Sequence, residues 1–408
     1  MKIYFHYIKE RINGNYTHNC HIYYFMIKNV KLKKFLKKTI FVPLTVLNKL
    51  LPKKENIILL YSANKGIEHN LKPLKDKLIQ DKYTKKYKII CAVEDKKYFE
   101  KEANIKYVTD FVAIFFFLIT KHIFYTTGQI PIKPSKKQIV IHMNHGTSDL
   151  KACGALSNIG NGDEFYFTYM LAPSKLYIPI FAKEYQCNED NILVCGEPMT
   201  DALFNKRVSY NLNKSMKKVL WLPTFRQSEY LNYSDSKEEL LPMFKMEEYS
   251  ELNNKLKDNN IFLIVKLHSA QDVCDLTEKK YTNIQIYTNS QFEKCGYDIY
   301  ELMPQVDALI GDYSSASLQF LLLNKPLAFV VPDMEEYAKN RGFCFENPEK
   351  YMPGPIIKEK YQLYKFFEDL SKNIDYYENE RLFVRNQIFK YQDGNNTNRV
   401  LKISNINL

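Results

Sequence analysis

The sequence predicts an α/β protein built from two Rossmann-like units, each a mostly parallel, doubly wound sheet, facing one another across a central cleft. Three observations carry this. Short apolar runs alternate with helix-period segments from residue 56 to beyond residue 330. The runs are apolar along their whole length, as strands covered on both faces must be. And 408 residues are enough for two domains of ordinary size.

In the first unit the strands are Ile57–Tyr61, Lys88–Val93, His122–Tyr125, Gln138–His142, Phe165–Met170 and Ile192–Cys195. Helices fall at Leu74–Gln80 and Asp110–Thr120, the second read as buried. In the second unit the strands are Val219–Leu222, Ile261–Lys266, Ile284–Tyr287, Ala308–Ile310 and Leu327–Val331. Met243–Leu256, Tyr297–Met303, Ser315–Leu323 and the charged, aromatic stretch Glu359–Tyr391 have helical patterns. The organisation is a basic segment (1–55), an N-terminal Rossmann-like unit (56–210) and a C-terminal one (211–408).

Composition bounds the function class. Hydrophobic residues make up 45% and charged residues 25%, so a large core forms and global disorder is excluded. A net charge of +12 favours anionic partners without choosing among them. The eight cysteines form no CxxC pair, no Cys/His cluster has zinc-like spacing, and buried free thiols in a reducing cytoplasm are expected. The N-terminus lacks the apolar stretch of a signal peptide, and Phe111 to Ile119 is far short of the roughly 20 residues of a membrane span. In Asn29 to Leu51, Leu32, Phe35 and Leu36 make an apolar stripe among five lysines, with Pro43 ending or kinking the helix. This stripe reads either as an interfacial helix on an anionic membrane or as a face packed on the domain below. Basic residues gather at the N-terminus and at strand ends rather than along one aromatic-rich face, so nucleic acid is not an expected partner.

Open α/β sheets bind ligands beyond the carboxyl ends of their strands, so polar clusters at strand exits matter. Four stand out. In HMNHGTSDLK, His145 follows strand QIVIH and Gly146 permits a sharp turn. A histidine there serves as a general base or simply bonds a loop carbonyl. In LPTFRQS, Thr224 and Arg226 follow the strand, and an arginine fork suits phosphate, although a surface arginine has the same appearance. In VKLHS, Lys266 and His268 lie two residues apart and share a side. In IGDYSSASLQF, Asp312, Ser314 and Ser315 form a turn into an apolar helix, whose free N–H groups bind phosphate or are capped by Ser314. Phosphate loops of the GxxxxGK[ST] type, DxD pairs and HExxH motifs are absent, so no metal and no cofactor is expected.

Taken in order, the clusters resemble the CDP-glycerol glycerophosphotransferase family, the enzymes that prime and polymerise teichoic acids and related capsule polymers. The matching residues are His145-Gly146-Thr147 with Lys151, Gly196-Glu197-Pro198-Met199-Thr200-Asp201, Leu222-Pro223-Thr224-Phe225-Arg226, Lys266-Leu267-His268, Asp312-Tyr313-Ser314-Ser315 and Phe320 to Pro326. Departures are TSDLK for TPLK, Asn144 where tryptophan is common, Met199-Thr200 for an arginine-containing pair, Ser269 for proline and Gln319 for an acidic residue. The resemblance implies a GT-B fold and metal-independent transfer of a polyol phosphate, CMP leaving, from a CDP-activated donor to a lipid-linked or polymer acceptor. It implies a cytoplasmic enzyme on the inner face of the plasma membrane. His145 would take the acceptor proton. His268 would act with Arg226 and Lys266 on the phosphates, and Ser314 and Ser315 would hold the diphosphate. Thr147, Thr224 and Asp312 would support them. A GT-B glycosyltransferase using a nucleotide sugar for cell-surface polysaccharide is the alternative.

Overall fold

The computed structural model describes residues 35–63, 66–93, 104–158, 164–205, 208–212, 215–224, 227–228, 233–234, 240–268 and 281–408. Most of the basic segment Asn29 to Leu51 is among them, but its first lysines, and Arg226, lie outside the described residues.

The N-terminal unit carries strands β1 (Lys54–Tyr61), β2 (Lys88–Ala92), β3 (Ile105–Val108), β4 (Thr120–Tyr125), β5 (Ile139–His142), β6 (Tyr169–Ala172) and β7 (Ile192–Val194). They form one parallel sheet in the order β3-β2-β1-β4-β5-β6-β7. Its helices are α1 (Val42–Leu50), α2 (Leu71–Gln80), α3 (Asp110–Ile119) and α4 (Ile178–Glu184).

In the C-terminal unit β8 (Lys217–Trp221) precedes a two-residue antiparallel ladder of β9 (Gln227–Ser228) and β10 (Tyr233–Ser234). Then come β11 (Ile261–Lys266), β12 (Ile284–Tyr287), β13 (Ala308–Gly311), β14 (Leu327–Val330) and β15 (Ile356–Ile357). The six-stranded parallel sheet has the order β12-β11-β8-β13-β14-β15. Its helices are α5 (Tyr249–Asp258), α6 (Asn289–Lys294), α7 (Ile299–Leu302), α8 (Ser315–Phe320), α9 (Met334–Asn340), α10 (Lys360–Ser371) and α11 (Glu378–Ile388), and α12 (Asn396–Ile403) closes the chain.

Each sheet reverses its winding beside its first strand, which is the doubly wound order, and two such units make the GT-B arrangement. Val219 to Trp221 of β8 and Leu263 to Val265 of β11 are buried, as central strands covered on both faces are. One core cluster runs between the units, joining Leu150, Tyr177 and Phe181 to Leu309, Tyr313 and Phe320. The C-terminal residues return to the first unit. Ser174 Oγ donates to the Gln387 carbonyl, and Val400, Leu401 and Ile406 enter the core under β1 and β5. Asp201 accepts hydrogen bonds from the Asn396 and Thr397 backbones at the start of α12.

Local expectations changed at several places: the strand expected at Phe165–Met170 is Tyr169–Ala172, and the helix expected from Met243 begins at Tyr249. Helix α3 is buried on one face only: Ala113, Phe116 and Phe117 pack inside while Phe111 (72% exposed) and Phe115 (58%) face out. Pro43 lies in the first turn of α1, following a π-helical turn at Lys37–Phe41, where a missing N–H costs nothing.

Candidate active site

The exit of β5 sets the first half of the site. His142 ends the strand inside the protein, stacked on Tyr125 with ring centres 4.5 Å apart. The chain then turns at Asn144, whose φ of 55° is one that asparagine tolerates better than most residues. Asn144 Oδ1 accepts the His145 backbone N–H at 2.7 Å, and its Nδ2 donates to the Tyr185 hydroxyl. Buried Asn70, just ahead of α2, fastens the turn from the other side. Its Nδ2 donates to the carbonyls of Met143 and Asn144, and its Oδ1 accepts the Met199 N–H. The loop that presents His145 is therefore held by two separate segments, through Tyr185 and Asn70.

Glu197 ties this loop to the second unit. Its carboxylate accepts from the Thr147 N–H and the Ser148 hydroxyl, and from Gln319 Nε2 of α8 at 3.0 Å. Gln319 in turn accepts from the Tyr300 hydroxyl. Burial pushes the Glu197 carboxyl up, and the same hydrogen bonds oppose that shift. The two units also come close at Gly146. A Cβ placed there would lie 2.2 Å from Ser315 Oγ, so only glycine lets the β5 exit meet the β13 exit.

The second half of the site comes from β8, β11 and β13. Asp312, just past β13, accepts from the Thr224 N–H and hydroxyl and from the Ser314 N–H. It joins the β8 and β13 exits across the point where the strand order reverses. Ser314 caps α8, its Oγ accepting the Ala316 N–H at 3.3 Å. Lys266, the last residue of β11, donates to Asn289 Oδ1 at 3.0 Å, and burial pushes its ammonium pKa down. His268 follows two residues later, open to solvent.

Electrostatics draw these groups into one site. His145 is open to water at its rim yet ringed by protein, and its imidazole is pushed down to about 4 by desolvation and by Lys151 and Arg341. His268 is pushed down to about 3 by desolvation and by Lys151, Lys266, His145 and His69. His69 is likewise pushed down to about 3 by desolvation, His145 and Lys266. Cationic groups from both units thus crowd three imidazoles that stay neutral at pH 7. The arrangement can accept a proton at His145 and stabilise negative charge beside Lys266. Among the described residues no three His, Cys, Asp or Glu side chains are grouped to hold a metal ion.

Of the residues expected from sequence, His145, His268 and Lys266 lie close enough to act on one another, and Ser315, beside the capping Ser314, meets the His145 loop at Gly146. Thr224 and Asp312 are hydrogen-bonded to each other, and Thr147 anchors the β5 exit through its backbone. His69, Asn70, Arg341 and the linking role of Glu197 were not anticipated. Arg341 reaches the site because Lys151 pairs with Phe343 in an isolated antiparallel bridge, a pairing with no local sequence signal.

Two doubly wound sheets meeting at a polar cleft make this a GT-B protein. The chain belongs to the CDP-Glycerol:Poly(glycerophosphate) glycerophosphotransferase family, whose profile matches residues 44–404. It is 24% identical over 405 residues to the teichoic acid glycerol-phosphate transferase of Staphylococcus aureus, covering 92% of this chain and 98% of that protein. It is 28% identical over 245 residues to the teichoic acid ribitol-phosphate primase of Bacillus spizizenii, covering 57% of this chain and 58% of that one. With the ribitol-phosphate polymerase TarL of Staphylococcus aureus the match covers 48% of the relative, so the chain spans about half the length of these last two. Among solved structures it superposes on the wall teichoic acid polymerase TagF with a TM-score of 0.70 at 20% identity, covering 92% of this chain and 95% of that one. A variant of that polymerase soaked with CDPG gives 0.70 at 22% identity, covering 86% and 89%. At these identities the structural likeness bears on the fold.

Proposed function

We propose that this chain transfers a polyol phosphate, glycerol phosphate from CDP-glycerol in the first instance, to an acceptor hydroxyl on a lipid-linked or teichoic-type polymer. The observation that carries the reading is the apposition of the His145 loop and the Ser315 turn through Gly146. It brings the residue that follows His145 against the helix start of the other unit. The acceptor oxygen attacks the donor's β-phosphorus and loses its proton to His145. The bond from that phosphorus to the bridging oxygen breaks, and CMP leaves with the electron pair. Lys266 and Arg226 offset charge on the transferring and leaving phosphates, a neutral His268 donates its ring N–H to them, and Ser314 and Ser315 donate to the diphosphate. Membership of the family and the CDPG-soaked relative support the donor. The test is nucleotide release: with CDP-glycerol, CDP-ribitol, UDP-sugars and GDP-sugars offered in turn, CMP from a CDP-polyol is expected. UDP or GDP release from a sugar nucleotide would establish the glycosyltransferase alternative instead.

The site of work on this reading is the cytoplasmic face of the plasma membrane. Among the described residues no helix is long and apolar enough to cross a membrane. Helices α1 and α3 instead expose Val46 (55%), Leu50 (77%), Phe111 and Phe115, with Lys38 and Lys49 nearby in sequence. Apolar side chains beside lysines fit the headgroup region of an anionic leaflet. Changing Phe111 and Phe115 to serine is expected to lower binding to phosphatidylglycerol vesicles, and binding is expected to fall as salt screens the lysines. Vesicle affinity unchanged in the double variant would place the contact elsewhere.

A further inference from the structure

His69 lies outside every strand exit and outside the roles assigned above. It precedes α2 with a φ of 51°, a left-handed conformation uncommon for a residue with a side chain. That conformation is locked by its neighbour Asn70, which is fully buried and hydrogen-bonded to the β5 exit. The consequence is positional: the His69 ring is carried to within 5.9 Å of the His145 ring, the planes inclined at 60°. At that separation the two rings are near enough for each to reach one of two neighbouring hydroxyls on the same polyol end. Beyond His145 the groups that face His69 are Lys266 and His268, from the opposite unit, and Glu68 at 3.9 Å. The ring is thus on the acceptor-side unit, next to the proposed base, and on the path toward the donor phosphates.

Its chemistry selects the ligand group. A neutral imidazole offers one N–H donor and one lone-pair acceptor, which is the complement of an alcohol. It adds no charge for a phosphate, and Lys266 supplies that close by. We propose that His69 is an acceptor-positioning residue that binds the hydroxyl next to the attacking one at the terminal polyol and so holds the attacking oxygen on His145. This rests on the transfer reading given above.

Two variants separate the ring from the backbone. His69→Gly keeps the left-handed backbone conformation and removes every side-chain donor and acceptor, whereas His69→Ala removes the ring and strains the backbone as well. CMP release from CDP-glycerol is measured for the full chain against a short synthetic glycerol-phosphate oligomer, and donor affinity is measured by calorimetry with CDP-glycerol. Both variants are expected to raise the acceptor KM roughly tenfold, the loss of about one net hydrogen bond. Donor Kd stays unchanged. A His69→Gly variant with wild-type acceptor KM beside an impaired His69→Ala variant would show a purely structural role and overturn the proposal. A shift in donor Kd equal to that in acceptor KM would overturn it too, moving His69 to the donor side. If the wild-type chain releases no CMP from any CDP-polyol, it is the underlying transfer reading that fails.

Discussion

His145→Asn is expected to lower turnover by about 10²–10⁴-fold while the protein stays folded. The fold survives because the side chain is partly open to solvent and, among the described residues, the hydrogen bond at this position is made by the backbone N–H, to Asn144. Asparagine retains hydrogen bonding but cannot take the acceptor proton. Circular dichroism and a thermal melt check the fold, and CMP release checks the rate. A folded variant near the wild-type rate would remove His145 from the reaction. The pH profile adds a second reading. The base works only when neutral, so activity is lost as pH falls through the folded-state pKa, which desolvation and nearby cations hold at about 4 in the free protein. The rate should therefore hold from pH 8 to 6 as far as this group is concerned. Stability changes in the same direction. A histidine in the unfolded chain titrates near 6.5, so below that pH the unfolded state takes up the proton first, and stability declines between about 6.5 and 4.

Gly146→Ala is expected to cost roughly 10²-fold in turnover, since displacements near 1 Å in a positioned site have effects of that size. The added methyl carbon would sit 2.2 Å from Ser315 Oγ and 2.9 Å from Ser315 Cβ. Neither contact can persist, so the β5 exit and the α8 start must separate, carrying the base away from the donor phosphates. Adding Ser315→Gly removes both offending atoms and should recover part of the loss. Equal rates for wild type and Gly146→Ala would show that the two units do not need to meet here during the reaction.

The fold was legible because its signal is local. β11 and β12 carry the boundaries that the apolar runs predict, and the helix at Asp110 ends within one residue of expectation. β3 escaped because Ile105–Val108 mixes a lysine and a tyrosine into four residues, and β15 because two residues hold no period. Helix α12 has no apolar run of its own, and periodicity does not tell a helix which sheet it will pack on. The same division runs through the site. Residues that follow strands, such as His145, Lys266 and Ser314, can be found by asking what an apolar run delivers. Glu197 and Gln319 meet across 122 positions, and nothing in either neighbourhood marks the pairing. His69 comes eight residues after β1 ends, and its place depends on what Asn70 grips.

The central claim is that a base on one unit directs an acceptor hydroxyl at the β-phosphorus of a CDP-polyol bound by the other. CDP-glycerol labelled with ³²P at the β-phosphate tests it most directly. Incubated with the protein and a membrane-bound or oligomeric glycerol-phosphate acceptor, the label is expected in the acceptor, with unlabelled CMP released in equal amount. Label recovered in CDP, with glycerol alone transferred, would place bond breakage on the far side of that phosphate and contradict the account.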